Sequence, residues 1–233
     1  MKRRSTLAGA AALAAVTCYV GATVLGGLLD RSYSHVSDSV SELTSNGAPN
    51  RLVLGLLYVA YNLGVVMMVV GLWRSSRLSR AVRVGLGLLL AVAAMGVVMI
   101  VPFPQDPMGT AITTAGTVHI ALASLSSLAL VVAAFVLARG WRQDPRWHGL
   151  ARPSLGAGIA LVLLAPPGFW AAASGSPYFG LAERVVQAVF LGWFAVIGAY
   201  ALGPDRDPRT PESDIDLPEL STISGRWHQH SPA

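Results

Sequence analysis

Six runs free of Asp, Glu, Lys and Arg, each close to the length that crosses a bilayer, decide what this chain can fold into. They are Thr6–Leu29, Leu52–Trp73, Val84–Val101, Ile112–Ala138, Leu155–Ala173 and Val185–Leu202. A spanning helix needs about 20 mostly apolar residues. All six read as helices, because an open strand or loop cannot satisfy its backbone hydrogen bonds in lipid. Only 12% of the 233 residues are charged and mean hydropathy is +0.55, which excludes an ordinary soluble domain. The expected fold is an all-α six-helix transmembrane domain over residues 1–202, followed by a tail at 203–233.

The connections predict an orientation. Lys2, Arg3 and Arg4 precede the first span; Arg74, Arg77, Arg80 and Arg83 fill the second connection; Arg139, Arg142, Arg146 and Arg152 fill the fourth. Connections one, three and five contain only Arg31, Arg51 and Arg184. By the bias of Lys and Arg toward the cytoplasmic side, both termini are expected in the cytoplasm and the odd connections outside the cytoplasmic membrane. The same arginines account for the net charge of +5 and can meet anionic headgroups. No basic patch interleaved with aromatics points to nucleic acid, and membrane lipids are the expected partners.

The N-terminus resembles a signal peptide, and "AVTC" resembles a lipoprotein cleavage site ending at Cys18. Apolar character nevertheless continues to Leu29, so an uncleaved first helix is expected. Cys18 is the single cysteine, which excludes an internal disulfide. The tail is rich in Pro, Asp and Ser and reads as disordered; its "WHQH" (Trp227 to His230) is read as inert rather than as a metal site. No internal repeat of the transporter kind emerges. The "APPG" of the fifth span, with Pro166, Pro167 and Gly168, is expected to kink or break that helix.

Ionisable groups at the membrane mark pairing or functional sites by default, and several converge on the odd connections. Glu42 lies in "SVSEL", Asp106 in "VPFPQDPMGT", His119 in "TTAGTVHIALAS", and Glu183 with Arg184 in "LAERVV"; His35 and Asp38 neighbour Glu42. Carboxylates with a histidine can ligate a divalent metal, making Glu42, Asp106, His119 and Glu183 the candidate ligand set. Without metal, His119 can act as a general base oriented by a carboxylate, with Arg184 holding an anionic headgroup. Ser37, Ser39 and Ser41 are available hydroxyls, without a Gly-x-Ser-x-Gly elbow. The structural alternatives are solvated loop carboxylates, an ion pair from Arg184 to Glu42 or Asp106, and a packing hydrogen bond from His119.

The motifs "YSHVSDSVSELTSNGAPN", "VPFPQDP", "GTVH" and "GLAERVV", in this order, resemble the bacterial membrane family called domain of unknown function 998. That family is in turn distantly similar to Frag/DRAM/Sfk-type membrane proteins. The resemblance covers roughly residues 7 to 202 and implies Ser41, Glu42, Gly47, Pro49, Asp106, His119, Glu183 and Arg184 as the residues to follow. It also implies a lipid-related role. The expected function is recognition or modification of a lipid or lipid-linked molecule, with His119, Glu42, Asp106 and Glu183 as the catalytic core and Arg184 and Ser41 as ligand contacts. Whether the chain is an enzyme stays open at this point, and the competing class is a membrane scaffold, partner subunit or small transporter.

Overall fold

Each apolar run becomes one α-helix, and polar residues cap the starts of two. In a computed structural model, which describes residues 2–76 and 79–203, these are α1 (Lys2–Leu29), α2 (Arg51–Ser75), α3 (Arg80–Ile100), α4 (Thr114–Trp141), α5 (Ala151–Ala173) and α6 (Phe179–Leu202). The Ser79 hydroxyl accepts from the Val82 amide at the start of α3, and Thr113 from the Gly116 amide at the start of α4, satisfying donors a helix start leaves unpaired. All six are long and apolar enough to cross a membrane, and no strand occurs among the described residues. The tail and its "WHQH" lie outside the described residues, apart from Gly203.

Most helix ends differ from the apolar runs by a few residues, and two features of α6 and α5 depart further from the sequence reading. α6 begins at Phe179 rather than Val185, so Glu183 and Arg184 belong to the helix and not to the loop before it. α5 runs without a break through Pro166 and Pro167. Neither proline has an amide hydrogen, so the Val162 and Leu163 carbonyls four residues earlier lose their helical donors while the helix continues to Ala173.

The helices close on themselves. α1 packs on α2, α2 on α3, α3 on α4, α4 on α5, α5 on α6, and α6 returns to α1. Six cylinders about 10 Å wide in a ring leave a central gap about as wide as a helix. Something must fill it, because interiors pack densely. At the end bearing the α2–α3 and α4–α5 connections, Leu72, Leu86, Leu137, Phe194 and Ile197 fill it, and the segment after α4 folds underneath with Trp147 and Leu150 fully buried. There the Trp147 indole donates to the Ser75 carbonyl (3.4 Å) and the Tyr200 hydroxyl to the Arg146 carbonyl (3.1 Å). At the opposite end the α1–α2 connection lies over the gap, with a 3-10 helix at Val40–Thr44. We call this the loop end and its opposite the arginine end.

The outer surface of the ring is apolar. Leu52, Leu56, Leu63 and Met67 are all exposed along α2, a stripe at helical spacing that water would disfavour and acyl chains would not. Phe169, Trp170 and Tyr178 are exposed near the loop end, as expected of aromatics at a membrane interface.

Candidate functional site: a capped cavity inside the helix ring

The α1–α2 connection is held down from both sides. Against α6, the Gly180 and Leu181 amides, two donors left free by the first helical turn, bond the Ser37 and Val36 carbonyls at 3.3 and 2.9 Å. Gly180 permits this approach: a Cβ there would sit 2.4 Å from the Asp38 carbonyl oxygen. The Glu183 carboxylate accepts from the Val40 amide at 2.8 Å, fixing the start of the 3-10 helix. Against the α3–α4 connection, the Asn46 amide donates to the Gln105 carbonyl (3.1 Å), the Gln105 side chain to the Ser39 hydroxyl (3.3 Å), and the Met108 amide to the Glu42 carboxylate (3.2 Å). Gly47 takes the positive φ of +85° that turns the chain back toward α2.

Arg184 works as a staple. Its Nη1 donates to the Asp38 carbonyl (2.9 Å) and to the Gly180 carbonyl (2.8 Å), and its Nη2 to the Tyr33 hydroxyl. The guanidinium also lies 5.5 Å from the centroid of the Tyr33 ring, and Tyr33 in turn donates to the Ser39 carbonyl at 2.9 Å. The alternative of an ion pair with Glu42 or Asp106 gives way to these contacts, because the Asp38 carbonyl of the overlying loop comes within reach of the guanidinium. These contacts engage both terminal nitrogens of the guanidinium.

Asp106 is likewise committed. Its carboxylate accepts from the Thr113 amide at 2.7 Å and from the Thr113 hydroxyl at 3.0 Å, holding the cap of α4. Glu42 faces the α3–α4 connection, and burial pushes its carboxyl above the usual glutamate range. The four candidate metal ligands therefore face different partners. Among the described residues no three His, Cys, Asp or Glu side chains come together as a metal site, so the residues do not fit the divalent ion considered from sequence.

His119 is the member of the set that meets another candidate. It is buried on α4, with Nδ1 2.9 Å from the Phe103 carbonyl oxygen and Nε2 3.2 Å from the Ser41 hydroxyl. A carbonyl only accepts, so Nδ1 carries the proton and Nε2 of the neutral ring receives the Ser41 hydroxyl. The orienting group is thus a backbone carbonyl, where sequence reasoning expected a carboxylate. Phe103 carries no side-chain signal that would have revealed it.

Ser41, His119 and Glu183 all line one cavity of about 250 Å³ in the loop-end half of the ring. Its wall includes residues from all six helices and from the 3-10 helix, and most of it is apolar, with Val92, Met99, Leu130, Leu161 and Phe190 among the contributors. Its other polar residues include Thr44, Ser126 and Ser127, and also Tyr19, Tyr58, Tyr61, Asn62 and Gln187, which the sequence reading missed. Asn62 and Gln187 were visible as amides within apolar runs, which is itself a signal. Asn62 donates to the Tyr58 carbonyl (2.8 Å), whereas the buried Ser126 hydroxyl has no hydrogen-bond partner among the described residues.

A ring of six spanning helices around a capped interior cavity defines a multi-pass integral membrane protein. The chain belongs to the family described as Protein of unknown function (DUF998), whose family model matches residues 12–200. No curated protein and no solved structure matches it.

Proposed function

We propose that this protein resides in the cytoplasmic membrane with the loop end outside, and that it binds the apolar part of a lipid or lipid-linked molecule in the ring cavity. The observation that carries this reading is the cavity itself: a largely apolar wall, with Ser41, His119 and Glu183 at the capped end. At roughly 30 Å³ for a water-sized group, it takes about eight such groups, hence a segment of an acyl or isoprenoid chain rather than a whole diacyl lipid. Unpaired polar groups in an apolar interior are costly, and a ligand oxygen near Ser126 would relieve one such cost. The distant similarity read between this family and Frag/DRAM/Sfk-type membrane proteins points the same way. In this reading Glu42, Asp106 and Arg184 shape the site, while Ser41, His119 and Glu183 face the ligand.

Native mass spectrometry of the purified protein, with extraction and identification of bound lipid, tests this. The wild type should retain an amphipathic molecule, and Ala123→Trp, which fills the cavity from α4, should lose it while keeping its helical content. A wild type that copurifies with nothing, or a variant that retains the same lipid, would instead favour the scaffold or subunit class.

A further inference from the structure

We propose that Ser41 is a nucleophile, activated by His119, that takes the acyl group of an ester-linked lipid; this rests on the cavity being a lipid site and assigns it a reaction. The geometry has the three parts of an activated serine: a hydroxyl, a base within hydrogen-bond reach, and a third group orienting the base. They are the Ser41 hydroxyl, His119 Nε2 at 3.2 Å, and the Phe103 carbonyl 2.9 Å from Nδ1. Because that carbonyl fixes the proton on Nδ1, the Nε2 lone pair is directed at Ser41. Both side chains lie on the cavity wall, so an ester carbonyl in the cavity meets the hydroxyl without the cap having to open.

Other hydroxyls of the region are committed elsewhere. Ser37 donates to the Asp38 carboxylate at 2.6 Å. Ser39 accepts from the Glu42 amide and the Gln105 side chain, and Thr44 donates to the Ser41 carbonyl. Ser126 meets no partner, and hence no base, among the described residues. Ser41 alone among them meets an imidazole.

The step balances without a redox partner. Ser41 Oγ bonds to the acyl carbon as its proton passes to His119 Nε2; the ester C–O bond breaks, and the leaving alcohol takes that proton. Water then adds to the acyl carbon, giving a proton to Nε2; the bond from that carbon to Ser41 Oγ breaks, the fatty acid leaves, and Ser41 takes the proton from Nε2. The net change is ester plus water to acid plus alcohol.

A long-chain alkyl fluorophosphonate tests this, since an activated serine displaces its fluoride and keeps the phosphonyl group. The full-length protein in detergent should gain one adduct, mapped to Ser41 by peptide mass spectrometry. Ser41→Ala should abolish it, Ser37→Ala should leave it unchanged, and His119→Gln should slow it on the order of 100-fold or more. His119→Gln keeps an amide donor for the Phe103 carbonyl, and thermal unfolding of each variant identifies any loss of fold. A wild type that copurifies with lipid yet gains no adduct at Ser41 overturns the nucleophile and leaves the binding reading standing. Labelling of Ser41 at equal rates in wild type and folded His119→Gln overturns the activation.

Discussion

Glu42 sits where two loops meet: its amide bonds the Ser39 hydroxyl and its carboxylate receives the Met108 amide. Burial is the largest influence on its carboxyl and the Asp38 charge adds to it, so protonation is easier in the folded protein than in the unfolded chain. The native state then holds this proton more tightly, and folding stability must fall as pH rises from the usual glutamate value of about 4.3 through the raised folded value. Above that window the loss is constant. Glu42→Gln keeps an acceptor for Met108 and removes the titration. Its unfolding temperature, taken relative to wild type, should therefore increase as pH rises through this window and then level off. A difference that stays flat or shrinks across that range would show that Glu42 is not held in a disfavoured charged state.

At the scale of elements, α4 begins at a cap that is itself capped. Thr113 accepts the Gly116 amide, and Asp106 holds both the amide and the hydroxyl of Thr113. Removing that carboxylate releases the N-terminal turn preceding His119. Asp106→Ala should cost about 0.5–2 kcal/mol, the range for a lost N-cap, and hydrogen exchange should rise over 106–118 while the Trp147 region at the arginine end stays protected. Uniform exchange across both ends would mean that Asp106 serves the whole ring rather than this turn. The helices themselves were readable in the sequence, because length and apolarity suffice where lipid forbids alternatives. Their polar partners were not. Arg184 was read as the contact for an anionic headgroup, with a carboxylate partner as the alternative; its bonds to the Asp38 and Gly180 carbonyls were not foreseen, since backbone oxygens leave no trace in residue identity. The same ignorance displaced the start of α6: Glu183 and Arg184 look like the end of an apolar run until the loop that accepts their bonds is seen lying over them. Gathering Ser41 and His119 at one end was legible from topology. That Ser41 faces the imidazole while Glu42, the next residue, faces Met108 depends on the 3-10 turn and was not.

For the whole molecule, the closed ring explains why the two ends differ. A six-helix ring must be filled or leave a void, and large side chains fill it only at the arginine end. The other end keeps a cavity beneath a cap tied by α6 and by the α3–α4 connection. This asymmetry parallels the charge: Arg74, Arg80, Arg83, Arg139 and Arg142 lie by the filled end, and residues of this kind stay on the cytoplasmic side. The cavity should then be closest to the extracytoplasmic surface, the placement that the proposed lipid site assumes. Single cysteines in a Cys18→Ser background test this placement. Ala111→Cys, in the exposed α3–α4 connection, should react with a membrane-impermeant maleimide in sealed right-side-out membranes. Gln143→Cys, exposed just after α4 at the arginine end, should react only once the membrane is permeabilised. The reverse pattern would put Ser41 and His119 at the cytoplasmic face, and the lipid proposed for the cavity would then have to come from the inner leaflet.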